Sequence, residues 1–237
     1  MGERAWGGLA LVVGLGLLAW MSLNYFKPPV SKSQPVNPDT LDVCWISRED
    51  FYPNKQVLEL VIEDIKKFGG WNNVNLKISK VAAPRDTGNK ILYFFPDKAA
   101  ADKWVRDRVS ENCESGRLAL KVVMAGFIEG EDSWGYAKVN EGIAVILQGV
   151  VDSVQAGKAG DMLWEAAILH EIGHVWGLNH NRTPGCLMND EEFGNNDLDK
   201  ISLSNNFDEN FKKELGLTFC QNEIDLLKTI KSPYLNL

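Results

Sequence analysis

The chain has 237 residues, of which 45% are hydrophobic and 24% charged, and its formal net charge is −7. This length suits one domain of about 100–200 residues with a short appendage, and the composition excludes a wholly disordered chain. The 25 basic residues form no run that could neutralise a phosphate backbone, which argues against nucleic acid as a partner.

The stretch Ala5–Phe26 contains no charged residue over its 22 positions. As a helix it would be roughly 33 Å long, which matches a hydrocarbon core of about 30 Å. A cleaved signal peptide is the alternative, but no small-x-small cleavage site follows the apolar centre, since Ala19 precedes two large residues. We therefore predict that residues 1–27 form a transmembrane anchor. Either alternative places the rest of the chain outside the cytoplasm.

Residues 28–40 contain four prolines among polar residues and show little apolar periodicity. This composition predicts an extended linker. The folded domain is expected over residues 41–237.

Segments with strand-like and helical apolar spacing alternate along this domain. The predicted strands are Leu41–Ile46, Val74–Val81, Ile91–Phe95, Leu118–Ile128 and two short strands within Trp134–Val151, the second being Ile143–Leu147. The predicted helices are Asn54–Phe68, Asp97–Val109, Asp161–Trp176 and Gln221–Lys231. In the third helix, Asp161 is the expected N-cap, and Glu165 is expected to favour the positive end of the helix dipole. This order predicts an α/β or α+β fold.

The four cysteines have no C-x-x-C spacing, which argues against a zinc ribbon or a thioredoxin-like pair. Outside the cytoplasm, disulfides are their natural use, whereas a cytosolic domain would favour four buried thiols. Four cysteines allow three pairings, and the sequence does not choose among them. Our working hypothesis pairs Cys44 with Cys113 and Cys186 with Cys220.

All three histidines of the chain lie in the segment H-E-I-G-H-V-W-G-L-N-H, which runs from His170 to His180. His170 and His174 are four residues apart, so a helix would project both imidazoles from one face towards one metal ion. Gly177 can adopt the left-handed conformation that ends a helix, which would bring His180 round as a third ligand. Three imidazoles leave the fourth position of a tetrahedral zinc ion open, as in catalytic zinc sites.

Glu171 is rotated by about 100° from His170 around such a helix and therefore points beside the metal. It is predicted to be the general base that takes a proton from a zinc-activated water and returns it to the leaving amine. A pair of surface histidines on a helix is the alternative interpretation.

With Met188 following at short range, the segment resembles the metzincin signature. It is most similar to the matrixins, both in the short step from His180 to Met188 and in the start of a closing helix at residues 220–224. The resemblance implies a twisted mixed five-stranded sheet, an active-site helix, a cleft below an edge strand and a small carboxy-terminal subdomain. It also implies that Met188 forms an apolar floor beneath the zinc, where a simple core methionine is the alternative.

Two residues depart from this pattern. Asn181 replaces the serine that is usual in matrixins after the third histidine, and Asp190 stands where some metzincins carry a tyrosine. The stretch before the domain is too short to be a prosegment and has no cysteine that could block the zinc.

Two weaker motifs lie near the histidines. Asn195, Asp197 and Asp199 alternate as calcium ligands could, but an acidic solvated loop is the preferred interpretation. The glycosylation sequon Asn181–Thr183 is predicted to be unused, because it abuts the zinc ligands and precedes a proline.

These patterns predict an extracytoplasmic zinc endopeptidase that acts on extended peptides and is held at the membrane by its amino-terminal helix. Two alternatives remain. One is a membrane-tethered binding module that keeps zinc without catalysis, and the other is a zinc hydrolase of a non-peptide amide.

Overall fold

The computed structural model describes residues 39–48, 55–81, 94–113, 119–131, 133–147, 158–189, 212–213 and 215–229. The strands within these ranges are β1 (Thr40–Arg48), β2 (Asn73–Val81), β3 (Phe94–Phe95), β4 (Ala119–Ala125), β5 (Phe127–Ile128), β6 (Gly135–Lys138) and β7 (Ile143–Leu147). The helices are α1 (Lys55–Gly69), α2 (Lys98–Asn112), α3 (Lys158–Val175) and α4 (Gln221–Thr229).

Five of the strands form a mixed sheet in the order β2-β1-β4-β7-β6. The first four are parallel to one another, and β6 runs antiparallel to β7 at one edge. All five residues of β7 are buried, as expected for an inner strand that is covered on both faces. The predicted mixed five-stranded sheet with helices is thus confirmed.

Helices cover both faces of this sheet. Alternate residues of β1 point to opposite sides, so that Val43 and Trp45 pack with α1 and α3, whereas Cys44 and Ile46 pack with Ala101 of α2. The larger of the two cores lies on the side of α1 and α3 and extends to α4 through Leu227.

Two disulfides connect distant parts of the domain. Cys44 in β1 is bonded to Cys113 at the end of α2, with a Cα–Cα distance of 5.9 Å. Cys186, after α3, is bonded to Cys220, just before α4, with a Cα–Cα distance of 4.8 Å. These are the two pairs of the working hypothesis.

Three local predictions are corrected by the structure. The predicted strand Leu118–Ile128 is two strands, because β4 belongs to the five-stranded sheet while β5 pairs with β3 in a two-stranded sheet. Asp161 is not an N-cap, since α3 already begins at Lys158 and Asp161 lies in its first turn. Glu165 does not lie at the positive end of the helix dipole, because it is the eighth residue of α3. It is buried in an ion pair with Lys212 at 2.7 Å.

Several predictions lie outside the described residues. They are the amino-terminal anchor or signal segment, the linker up to residue 38, the proposed calcium ligands and Asp190. Within the part of the chain that the structure describes, no helix combines the length and apolarity needed to cross a bilayer.

Candidate metal centre and cleft

Helix α3 presents His170 and His174 and ends in a turn that depends on Gly177. The N–H of Gly177 donates to the carbonyl of His174, and the N–H of Leu178 donates to the carbonyl of Gly173, each at 2.9 Å. This pair of bonds is the Schellman arrangement, which needs a left-handed residue at the position of Gly177. The φ angle of Gly177 is 94°, where residues with a side chain are strained.

The turn brings the third histidine to the other two. The Nε2 atom of His180 lies 3.0 Å from Nε2 of His170 and 2.9 Å from Nε2 of His174. Three ring nitrogens thus lie close together near the carboxyl end of α3.

The tautomers of these rings indicate what the site can hold. Nδ1 of His170 lies 2.9 Å from the carbonyl oxygen of Leu187, and Nδ1 of His174 lies 2.9 Å from that of Leu178. Because a carbonyl only accepts, both Nδ1 atoms must donate, and in the neutral rings both Nε2 atoms therefore carry lone pairs.

Nε2 of His180 can donate its single proton to only one of these two lone pairs, whereas a bound cation would engage all three nitrogens at once. Ligands at 2.0–2.1 Å from a tetrahedral zinc ion are about 3.3 Å apart, close to the spacing seen here. The donor set therefore fits zinc. Burial lowers the pKa of His174, which favours the neutral form that a metal ligand requires.

Glu171 is a buried carboxylate next to the three imidazoles. Its Oε2 atom is fully buried and has no hydrogen-bond partner among the described residues. Burial raises the pKa of Glu171 to about 8, with the charge of Lys98 acting in the opposite direction. An ionisable group that is buried without a partner is typical of functional sites.

A cleft of about 700 Å³ lies between α3 and the edge strand β6. One wall is formed by Ser133–Ala137 together with Val139, and the other by Ala167, the three histidines, Glu171 and the turn after α3. Apart from Glu171, no acidic residue and no lysine or arginine lines the cleft within the described chain. None of the residues of the β6 wall was predicted from the sequence.

Gly135 in β6 allows this strand to lie directly against Glu171. A Cβ atom on Gly135 would lie 2.7 Å from Cγ of Glu171 and 2.5 Å from the carbonyl oxygen of Val145. A glycine inside a predicted strand often marks such a close approach, so its position was the available sequence signal.

Met188 packs against the helical turn between His170 and His174. Its side chain is fully buried. A Cβ atom on Gly173 would lie 2.8 Å from the Met188 sulfur, so the glycine in H-E-I-G-H is what lets the methionine pack against α3.

The loop after His180 is tied to α4 by Glu223, which the sequence analysis did not single out. Glu223 accepts hydrogen bonds from Nδ2 of Asn181 and from the backbone N–H of Met188. The sequence signal for its role was a carboxylate three residues after an N-cap position, as in a capping box. Since Nδ2 of Asn181 is engaged in this bond, glycosylation of the sequon would disrupt it.

Glu165 of α3 belongs to a second group of buried charged residues. Lys212 donates to both carboxylate oxygens of Glu165, at 2.7 and 2.8 Å, and Asp64 of α1 is hydrogen-bonded to Glu165. Burial, followed by the hydrogen bond and charge of Glu165, raises the pKa of Asp64 to about 7. This cluster joins α1, α3 and the segment before α4, and it does not line the cleft.

Comparison with known proteins identifies a solved structure of similar fold. No protein-family model and no curated protein matches the sequence. Among solved structures, an archaemetzincin from Methanopyrus kandleri is 15% identical, with a TM-score of 0.54 over 81% of this chain and 96% of that one. A zinc-dependent peptidase from Methanocorpusculum labreanum is 17% identical (TM-score 0.48, 79% of this chain and 99% of that one). Metalloproteinase-II from Bacteroides fragilis is 14% identical (TM-score 0.47, 84% and 55%). The chain is similar in fold to the archaemetzincin, a likeness that does not extend to the matrixin subtype.

Proposed function

We propose that this protein is a zinc-dependent endopeptidase that acts outside the cytoplasm. The observation that carries the proposal is the convergence of three imidazole nitrogens beside Glu171. Nε2 of His180 lies within 3.0 Å of Nε2 of both His170 and His174, and the buried Oε2 of Glu171 has no hydrogen-bond partner among the described residues. The archaemetzincin-like fold supports the same conclusion. The narrower resemblance to matrixins rests on the sequence motif alone.

His170, His174 and His180 would hold the metal through Nε2. When bound there, zinc supplies a Lewis acid that activates water and polarises a substrate carbonyl. Glu171 accepts the proton of the attacking water and delivers it to the amine that departs, so the carboxylate is regenerated after each cycle. The packing of Glu171 against Gly135 holds its carboxylate at the cleft wall, where this exchange takes place.

The edge strand β6 provides the binding surface for the substrate main chain. It is the last strand of the sheet order, so its outer backbone groups can pair with an extended peptide. The cleft wall continues on both sides of Gly135, through Ser133 and Trp134 in one direction and Tyr136 and Ala137 in the other. A peptide that follows this wall passes Glu171 in mid-chain, which favours cleavage of internal bonds.

The location outside the cytoplasm is supported by the two disulfides, which persist in oxidising compartments. We propose that residues 1–27 anchor the domain to the membrane, with secretion after signal cleavage as the alternative. Fractionation of cells that express the full chain distinguishes the two, because a cleaved protein is released without membrane extraction.

The test of catalysis is the variant Glu171→Gln, which keeps the side-chain volume but cannot take up a proton. We expect hydrolysis of a quenched fluorescent peptide library to fall by about 100–10,000-fold, while one zinc ion per chain remains bound. Glu63→Gln, at an exposed position of α1, is the matched control and should retain full activity. Unchanged hydrolysis by Glu171→Gln would remove the proposed mechanism.

The same assay separates the alternatives. A wild-type chain that binds zinc and cleaves neither peptides nor cell-wall fragments is a binding module. Cleavage of cell-wall fragments alone identifies a hydrolase of a non-peptide amide.

A further inference from the structure

One buried carboxylate, that of Glu223 in the first turn of α4, receives hydrogen bonds from two segments of the candidate metal centre. Its Oε1 atom accepts from Nδ2 of Asn181 at 2.7 Å and from the backbone N–H of Met188 at 3.0 Å. Its Oε2 atom accepts from the backbone N–H of Cys220 at 3.0 Å. The side chain is only 5% exposed, so these three donors are what stabilise it in place of water.

The two carboxylate oxygens of Glu223 bind different parts of the structure. The bond from Cys220 to Oε2 is a helix cap, because Glu223 is the third residue of α4 and bonds back to the residue before the helix. The two bonds to Oε1 span 42 and 35 residues along the chain. They are not needed to form α4, and they reach the loop that carries the third histidine.

The peptide group between Leu187 and Met188 connects Glu223 to His170. Its N–H donates to Glu223, and its carbonyl oxygen, that of Leu187, accepts from Nδ1 of His170 at 2.9 Å. Hydrogen bonds arranged in series polarise one another, so the carboxylate makes this carbonyl a stronger acceptor. A strong acceptor on Nδ1 fixes the ring orientation and makes Nε2 more basic as a metal ligand.

His180 is connected to the same carboxylate through Asn181. The side chain of Asn181 donates to Glu223, and its backbone N–H donates to the carbonyl of Met188 at 2.8 Å. The residue next to the third histidine is therefore held both by side chain and by backbone.

We propose that Glu223 is a positioning residue for the metal centre, which orients His170 through the peptide of Leu187 and Met188 and orients His180 through Asn181. This inference rests on the proposed function in one respect, namely that the three histidines bind zinc. It does not depend on which bond the enzyme cleaves.

The test measures zinc affinity of the full chain by competition with a chromophoric chelator, together with the visible spectrum of the cobalt-substituted protein. Glu223→Ala should lower zinc affinity by about 10–100-fold, as expected for loss of an outer partner of a ligand, and should change the cobalt bands. Glu223→Gln keeps an oxygen that can accept from Asn181 and Met188 but lacks the charge, so its loss should be smaller.

The control is Asp97→Ala, which removes the cap of α2, a helix that carries none of the three histidines. Asp97 accepts from the N–H of Ala100 at 2.7 Å at the start of α2. This variant should lose stability without any change in zinc affinity or in the cobalt spectrum.

The inference is overturned if Glu223→Ala resembles this control, with lower stability and unchanged zinc affinity and cobalt bands. If Glu223→Ala does not fold, Glu223→Gln and Asn181→Ala decide the question by the same measurements. A wild-type chain that binds no zinc overturns the proposed function instead. A chain that binds zinc but cleaves no peptide still tests the positioning role in full.

Discussion

The first two histidines and the third are held in the site by different means. His170 and His174 lie on one helix, and their spacing follows from the helical repeat. His180 lies beyond the end of the helix, and its loop is held by Glu223 and by the disulfide to Cys220, both far away in sequence. One part of the candidate metal centre is thus a property of local structure, and the other part requires the folded carboxy-terminal region. Perturbations of that region should therefore affect metal binding more than they affect α3.

Removal of the third ligand gives the largest expected effect. His180→Ala should lower zinc affinity by about 100–1,000-fold, because structural zinc binding of about 10–16 kcal/mol is shared among a few ligands. The apo protein should unfold at nearly the wild-type temperature, since His180 is exposed. Isothermal titration and calorimetry of the apo form measure the two quantities. A large loss of apo stability would show that His180 also supports the fold.

Removal of each disulfide in turn tests whether His180 depends on the carboxy-terminal region. Removal of either disulfide should lower the free energy of unfolding by about 2–5 kcal/mol, as measured by urea titration. The two double variants are Cys44→Ala with Cys113→Ala, and Cys186→Ala with Cys220→Ala. Only the second pair lies beside the metal centre, so only its removal should also weaken zinc binding, by about tenfold. Equal zinc affinities in the two variants would contradict the dependence of His180 on the carboxy-terminal region.

Gly135→Ala tests the cleft wall without altering a metal ligand. The added methyl group would lie 2.7 Å from Cγ of Glu171 and must displace this side chain or the strand. We expect kcat to fall by about 10–100-fold with zinc affinity unchanged, because small misplacements of a catalytic group have effects of this size. A variant with normal kcat would show that Glu171 has room to adjust.

The smallest expected effect is a change in how the free energy of unfolding depends on pH. The pKa of Asp64 is raised to about 7 in the folded protein, so the folded state keeps a proton that the unfolded chain loses near pH 4. This contribution is fully present below about pH 4 and is lost as pH rises through 7. Asp64→Asn, which donates a hydrogen bond at every pH, should therefore gain on the order of 1–3 kcal/mol relative to wild type between pH 5 and pH 8.

The measurement is urea unfolding of both proteins in the apo form at the two pH values. Only the difference between the proteins is compared, so the titration of the histidines cancels. A difference that does not change with pH would show that Asp64 does not carry this proton.

Local pattern was enough to predict much of the fold and of the site. The apolar run Ile143–Leu147 was predicted with the bounds that the structure shows, because an inner strand that is covered on both faces is a continuous buried segment. The segment from His170 to His180 could be interpreted because helical spacing and a glycine with left-handed backbone determine where three side chains lie. The start of α3 was placed three residues too late, since Asp161 has the same preference for a first turn as for an N-cap.

The sequence by itself determined the identity of the candidate ligands, the carboxylate beside them and the alternation of strands and helices, because each depends on neighbours a few residues apart. Tertiary structure decided which carboxylates are buried and what they bind. Glu165 meets Lys212 across 47 residues, Glu223 meets Asn181 across 42, and Gly135 meets Glu171 only when β6 pairs with β7. The short-range pattern offers at most a glycine within a predicted strand and a carboxylate at a capping-box position, and it identifies none of these partners, since the contacts exist only after the sheet and helices have packed.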